Sequence, residues 1–204
     1  MKKYLQIFVA LVAMTYGVSS WAFGVERYLE GVHYSVAPNG KPAPHTVVEF
    51  FSFGCPHCAH LEPGLEEWLK TKPANVTFTR VPATWNPYFE FMGRVYYAMK
   101  DQGIDKSAAA DLFDHIHKKG LPMRTKEDVE SFIVSHGGDK AKFEKFWSSA
   151  QMEKDIEDAS KTFARYQVSG VPTILVDGQY MTSESQAGSE TGLFKVINFL
   201  LEDK

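Results

Sequence analysis

The sequence predicts an α/β fold with a helical block inserted into it, and three observations predict this. Strand-like runs occur in two separate places, His45–Phe53 with Val76–Val81 and Thr173–Val176 with Gln179–Met181. Between them, from Thr84 to Arg165, the apolar residues recur at helical spacing. No long polar linker separates the two patterns, so the helical block grows out of the α/β part and does not form a detached domain. The composition suits a folded chain: of 204 residues, 44% are hydrophobic and 23% charged, near the averages for soluble domains.

The chain opens with a leader. Lys2 and Lys3 precede an almost wholly apolar run from Tyr4 to Val18, and Ser20 and Ala22 place small residues at positions −3 and −1 of a cleavage point. This reads as a secretory signal peptide over residues 1–22, since about 15 apolar residues fall short of the roughly 20 that a spanning helix needs. Export, to a bacterial periplasm, is the expected destination. The first strand, His45–Phe53, follows Pro42 and Pro44 and is rich in β-branched and aromatic residues. From Pro56 to about Lys70, the residues Leu61, Leu65, Trp68 and Leu69 form a helical stripe, and extending it backwards reaches Cys58, which should face inward. Lys72-Pro73-Ala74-Asn75 ends that helix, and Val76–Val81 alternates as a second strand.

Breaks at Gly103, Gly120–Pro122 and Gly137-Gly138 divide the helical block, and Thr125 with Asp128 makes a capping box. Ile156, Ala159, Phe163 and Tyr166 mark its last helix. Asp177-Gly178 suits a two-residue hairpin turn between the later strands. Leu193, Val196, Ile197 and Leu200 give a closing helix. The resulting division is 23–83 with 166–204 for the sheet and 84–165 for the helical insertion.

Charge excludes one class of function. Twenty-two basic against 25 acidic residues give a net −3, and removing the leader's two lysines leaves 20 against 25, or −5. No excess of positive charge is available to hold nucleic acid. The cysteines carry more information. Only Cys55 and Cys58 are present, and a bridge between them closes a loop too short to constrain an unfolded chain, so a chemical use is favoured over a structural one.

Cys55 falls where strand gives way to helix, with Pro56 in the first turn, where its missing N–H costs nothing. Unpaired backbone N–H groups and the helix dipole favour an anion there, and His57 adds polarity or charge, so the Cys55 thiolate should form well below the ordinary thiol range. Cys58, facing inward, lacks this help. Cys55 is therefore the expected exposed nucleophile and Cys58 the resolving thiol. Each unit by which the Cys55 pKa falls below ambient pH stabilises the dithiol by about 1.4 kcal/mol, equivalent to about 30 mV for a two-electron couple. A shift of several units makes the disulfide strongly oxidising.

Phe-Phe-Ser-Phe-Gly-Cys-Pro-His-Cys at residues 50–58, with Gly170-Val171-Pro172-Thr173 at the start of a later strand, resembles the DsbA family of periplasmic thiol oxidases, a branch of the thioredoxin superfamily. The resemblance covers nearly all of the chain after the leader. It implies a thioredoxin fold with an inserted all-helical domain, a cis Pro172 beside the cysteines, and pairing of Val171–Thr173 with an extended substrate peptide. It implies that Glu49, six residues before Cys55, is the buried acid that helps move the proton of the inner cysteine. Arg80 matches a position usually held by lysine; either it is a solvated strand end or it pairs with Glu49 and keeps that acid ionised. Pro63 matches the helix proline of thioredoxins. The implied partners are reduced exported proteins and a quinone-linked membrane reoxidant of the DsbB type, and the implied state is a monomer with no bound organic cofactor or metal.

Two other readings compete. A disulfide isomerase or reductase would keep the same cysteines, but relatives of that type resemble dimers built on an added N-terminal domain, and threonine usually stands where this chain has Val171. A metal module would use Cys55, His57, Cys58 and His60, but these diverge around a helix and no second pair completes a tetrahedral set. A c-type haem site fails because Ala59, not histidine, follows Cys58. His33, His45, His115, His117 and His136 read as solvated or core-satisfied, and Trp85, Tyr88, Phe89 and Phe91 as a core or interface cluster rather than a surface for substrate.

Overall fold

The computed structural model describes residues 28–202; the leader lies outside the described residues. Five strands form one sheet: β1 (Ser35–Val36), β2 (Thr46–Phe51), β3 (Thr77–Pro82), β4 (Thr173–Val176) and β5 (Tyr180–Thr182), in the order β1-β5-β4-β2-β3. The central strand β2 runs parallel to β3 and antiparallel to β4. It begins at Thr46 because His45 takes a left-handed backbone conformation, φ 60°. The two-residue β1, absent from the sequence reading, is too short to show a period.

Alternation along β2 builds two cores. Val47 packs with Leu61, Leu65 and Trp68 of α1 (Pro56–Thr71) and with Leu193, Val196, Ile197 and Leu200 of α8 (Glu190–Glu202). On the opposite face Phe50 meets Phe163 and Tyr166 of α6 (Ala150–Tyr166), its ring 4.9 Å from that of Phe163. Glu49 and Phe51 share the face of Val47, beneath α1.

A block of helices lies between β3 and β4 in the chain. They are α2 (Pro87–Gln102), α3 (Ala109–Phe113), α4 (Lys126–Ser135) and α5 (Lys140–Trp147), followed by α6. All but α3, which follows Ala108, start at side-chain caps: Asn86, Thr125, Asp139 and Ser149 each accept a bond from a backbone N–H in the first turn, and Thr125 with Asp128 completes the expected box. Their core, including Met92, Val95, Met99, Leu112, Phe113, Ile133 and Phe143, is continuous with Phe51, Phe53, Cys55 and Cys58. The inserted helices therefore supply one wall of the cysteine site. After β5, α7 (Glu184–Ala187) leads into α8.

The hairpin between β4 and β5 uses Asp177 and Gly178 with φ of 51° and 67°, but the ladder resumes at Val176 opposite Tyr180, so Gln179 lengthens the expected two-residue turn to three. The 37–43 segment accounts for this. Ala37, Lys41 and Ala43 donate their N–H groups to the carbonyls of Gln179, Gly178 and Asp177 at 2.7, 3.0 and 2.8 Å. A Cβ on Gly178 would lie 2.2 Å from the Lys41 carbonyl oxygen. Gly178→Ala is expected to cost about 1–3 kcal/mol from backbone strain and this clash; urea unfolding checks it, and an unchanged midpoint would show that the clamp yields freely.

Candidate active site

The cysteines sit after a tight turn, Ser52 to Cys55. The Cys55 N–H donates to the Ser52 carbonyl at 3.0 Å and the Gly54 N–H to Ser52 Oγ at 3.1 Å. Gly54 is required by close approach, since a Cβ there would lie 2.5 Å from the Tyr88 ring. Cys55 is the N-cap of α1 in extended conformation, with Pro56 entering the first turn. Pro56 and His57 are exposed, and Pro63 lies on the exposed side of the helix, which runs through it.

Cys58 is fully buried, as the stripe predicts. Cys55 departs from expectation: it is only 6% exposed, packed into the apolar core with Val171 against that cluster, and Cys55 Sγ donates to the Val171 carbonyl at 3.4 Å. Both cysteines are free thiols in this structure. Their surroundings separate them. The Cys58 thiol, then the backbone N–H groups of Cys58 and His57 and the nearby His57 side chain, draw the Cys55 pKa down to about 6 against the opposing effect of burial. Burial first, then the hydrogen bond to Cys55 and the charge of Glu49, push Cys58 well above the ordinary thiol range. The helix-end argument thus holds for the backbone, while the sulfur–sulfur hydrogen bond, which no sequence argument supplied, is the largest contribution.

Glu49 and Arg80 are register partners on neighbouring strands, so both point under α1. Arg80 Nε donates to Glu49 Oε2 at 2.7 Å. Its other fork nitrogen reaches Glu62 Oε2 on α1. Arg80 is not a solvated strand end: its side chain is 8% exposed, against 0% and 4% for those of Glu49 and Glu62. Burial raises the pKa of Glu49, with Arg80 pulling it back, and burial likewise lifts Glu62 to about 7. Burial alone would lower the Arg80 pKa, but the two carboxylates outweigh it and raise the pKa above the ordinary value. Glu49 Oε1 is buried with no hydrogen-bond partner among the described residues, leaving an oxygen free to carry a proton.

The Val171–Pro172 bond is cis. Val171, Pro172 and Thr173 are half-buried and line a groove of about 620 Å³ together with His57, His60, Ser183 and Glu184. The phenol of Tyr88 and the indole of Trp85 are 43% and 45% exposed, so only Phe89 and Phe91 of the expected aromatic cluster turn into the core. Among the described residues, no cluster of three or more His, Cys, Asp or Glu side chains is arranged to hold a metal ion.

Comparison with known proteins agrees with this geometry. Residues 78–190 match the family model of the DSBA-like thioredoxin domain. The chain is 34% identical over 167 residues to the thiol:disulfide interchange protein DsbA of Azotobacter vinelandii, covering 82% of this chain and 78% of that protein. The corresponding protein of Pseudomonas aeruginosa is 32% identical over 202 residues, covering 96% and 94% of the two chains. The chain belongs to the DsbA family. It is a thiol:disulfide oxidoreductase with a thioredoxin-like fold. The crystal structure of Pseudomonas aeruginosa DsbA superposes with a TM-score of 0.78 at 31% identity, covering 86% of this chain and 93% of that one. The oxidoreductase DsbA from Xylella fastidiosa gives 0.78 at 28% identity, covering 85% and 96%.

Glu62 escaped the sequence reading. The signal was there: it lies four residues after Cys58, on the same face as Leu65, where a charge interrupts an inward stripe. His117 is a satisfied histidine, as expected, but its partner is informative: Nε2 lies 2.7 Å from the Phe53 carbonyl, beside the cysteine turn. Because the Glu62 pKa rises to about 7, the folded protein holds a proton that the unfolded chain releases between the ordinary carboxylate range and that value. This contribution to stability is complete below the ordinary range and is lost as pH rises through about 7. Glu62→Gln, a mimic of the protonated acid, is expected to raise the melting temperature at pH 8, by the equivalent of about 1–3 kcal/mol, and to change it little at pH 5. Loss of stability at pH 8 would mean that Arg80 requires the ionised carboxylate.

Proposed function

We propose that the protein oxidises pairs of cysteines in exported proteins by donating a Cys55–Cys58 disulfide. The observation that carries this is the separation of the two sulfurs: Cys55 is drawn down to about 6 while Cys58 is pushed up. A substrate thiolate attacks Cys55 Sγ, the Cys55–Cys58 bond breaks, and a mixed disulfide forms at Cys55. The electron pair of the broken bond goes to Cys58, which takes a proton from the Glu49 carboxyl or through it. The substrate's second thiolate then attacks its own sulfur in the mixed disulfide and releases Cys55 as a thiolate at the helix end. Two electrons pass from the substrate's thiols to the cysteine pair.

Within this reading, Val171, Pro172 and Thr173 hold an extended stretch of the substrate along the groove beside His57. Residues 1–22 direct export to the periplasm and are removed. Residues 23–83 and 166–204 form the thioredoxin-like domain, and 84–165 the inserted helical domain. A quinone-linked membrane protein of the DsbB type restores the disulfide, no further cofactor is required, and the protein works as a monomer. Among the described residues, no helix is long and apolar enough to cross a membrane.

Two measurements test the scheme. Cys55→Ser should abolish exchange with a reduced protein substrate, and Cys58→Ala should accumulate a mixed disulfide trapped at Cys55; full oxidase activity in either variant refutes the assignment. The second concerns pH. A thiol held at about 6 in the folded dithiol form but ordinary when unfolded stabilises that form above the ordinary thiol range, and this is lost as pH falls through about 6. The melting temperature of the reduced protein, measured against that of the oxidised protein, should therefore fall from pH 8 to pH 6, while above the ordinary thiol range the raised Cys58 works in the opposite direction and flattens the curve. A difference independent of pH would remove the acid thiolate on which the proposal stands.

A further inference from the structure

Three regions outside the cysteine pair were candidates for a role. The groove of about 800 Å³ beside β3 opens onto the charge cluster already described, and nothing shows what would fill it. The cleft between Asp111, His115 and His136 has its His136 Nδ1 satisfied by the Phe132 carbonyl at 2.8 Å. The third is His117, whose contact reaches the cysteine turn directly.

We propose that His117 is a positioning residue for the reaction, fixing the Phe53–Gly54 peptide and through it the seat of the Cys55 sulfur. His117 lies in one wide helical turn, Asp114–Lys118, continuing α3, where the Lys119 N–H reaches back five residues to the Asp114 carbonyl at 2.9 Å. Such π-type turns re-aim the side chains they carry. Here the ring lies against Phe113, at 6.2 Å between centroids, and Phe113 packs on Phe53 at 4.9 Å. A carbonyl oxygen only accepts, so the 2.7 Å contact makes His117 Nε2 the protonated nitrogen.

The turn's hydrogen bonds show why this matters. The Ser52 carbonyl takes the Cys55 N–H and Ser52 Oγ takes the Gly54 N–H. The Phe53 carbonyl is held by His117, from the inserted helices, and not by the turn itself. The Gly54 N–H end of the same peptide is held only by the rotatable Ser52 hydroxyl, and glycine permits a wider range of backbone angles than any other residue, so the His117 bond is the second restraint that fixes the tilt of this peptide. The thiolate position of Cys55 depends on that peptide, because the stabilising N–H groups of His57 and Cys58 and the Cys58 thiol are fixed on α1 while the sulfur hangs from the end of the turn. Releasing the Phe53 carbonyl spreads the sulfur over positions where fewer donors reach it. The inserted helices thus act on the chemistry through one hydrogen bond in addition to their apolar packing.

The test compares His117→Phe, which keeps a ring against Phe113 but loses the donor, with His117→Gln, whose amide nitrogen can restore it. In the purified protein, ultraviolet titration of the thiolate and equilibration with glutathione buffers read the effect. His117→Phe should raise the Cys55 pKa by about one unit, a tenfold loss in the ratio of thiolate to thiol at a fixed pH, and make the protein more reducing by about 30 mV. His117→Gln should return both values toward the wild type. Unchanged values in His117→Phe, or equal shifts in both variants, overturn the proposal. Should the phenylalanine variant not fold, nitrogen chemical shifts of the wild-type His117 ring decide it, since an unprotonated Nε2 is incompatible with the bond. The inference rests on the acid Cys55 of the proposed function, and the failures are distinguishable: an ordinary wild-type thiol pKa sinks that reading, whereas an acid wild-type thiol left unmoved by His117→Phe sinks only this one.

Discussion

The structure depends on holding one sulfur at the end of a helix while keeping its neighbour out of water. Cys55 is placed by a turn that has almost no freedom: Ser52 bonds twice within it, Gly54 is pressed against Tyr88, and Pro56 starts the helix without wasting a donor. Three positions on, one turn of α1 carries Cys58 into the same apolar core that contains Phe51, Phe53 and Phe113. A thiol in that core resists ionisation, and its hydrogen is best used by the sulfur next to it. One geometric fact therefore lowers one pKa and raises the other, and the two effects are not independent adjustments.

The second constraint is the cost of putting Glu49, Arg80 and Glu62 under the helix. Buried charges are tolerated when they are paired with good geometry, and replacing such groups with apolar residues is often neutral or stabilising, so their presence is not explained by stability. Two carboxyls share one guanidinium. If both were ionised the cluster would carry a net negative charge in a poorly solvated place, and the raised pKa values of both acids express its preference for an extra proton. Arginine suits this arrangement better than lysine. Its planar fork meets two acids with separate nitrogens, and it does not give up a proton itself. In the proposed relay the proton is therefore carried by the carboxyls, one of which keeps an oxygen with no hydrogen-bond partner among the described residues. Pairing with Arg80 does not remove Glu49 from consideration as a proton carrier; it restricts the proton to the two acids.

Much of this was legible because it is local. The strand before the cysteines, the helix stripe that turns Cys58 inward and the cap at Thr125 all follow from residue periods of two or 3.6 and from end effects, whereas the pairing of Glu49 with Arg80 stayed open until the register of β2 on β3 placed them side by side. What was not legible is contact between distant segments. The Cys55 sulfur bonds to a carbonyl 116 residues away in the chain, and the latch on Phe53 comes from a residue 64 away. The hairpin gained a residue because the 37–43 segment bonds to its tip. Glu62 falls between these cases: its place on the inward face was readable, but a lone acid on such a face has a meaning only when the strand beneath supplies its cation.

These separate contacts bear on the direction of electron flow. An acid Cys55 makes a good leaving group from a mixed disulfide, and a Cys58 that ionises poorly is slow to attack that disulfide and reclaim the bond. In the proposed mechanism this favours release of oxidised substrate over return of the disulfide to the enzyme. The burial of Cys55 bears on access. With only 6% of the residue exposed, Cys55 offers little surface, and on the proposed reading an extended substrate lies along the neighbouring Val171–Thr173 groove before its sulfur reaches Cys55. The proposed donation of the disulfide is consistent with this chemistry, and the proposed groove suits an extended stretch of chain. Both properties arise from the meeting of one helix end with one loop.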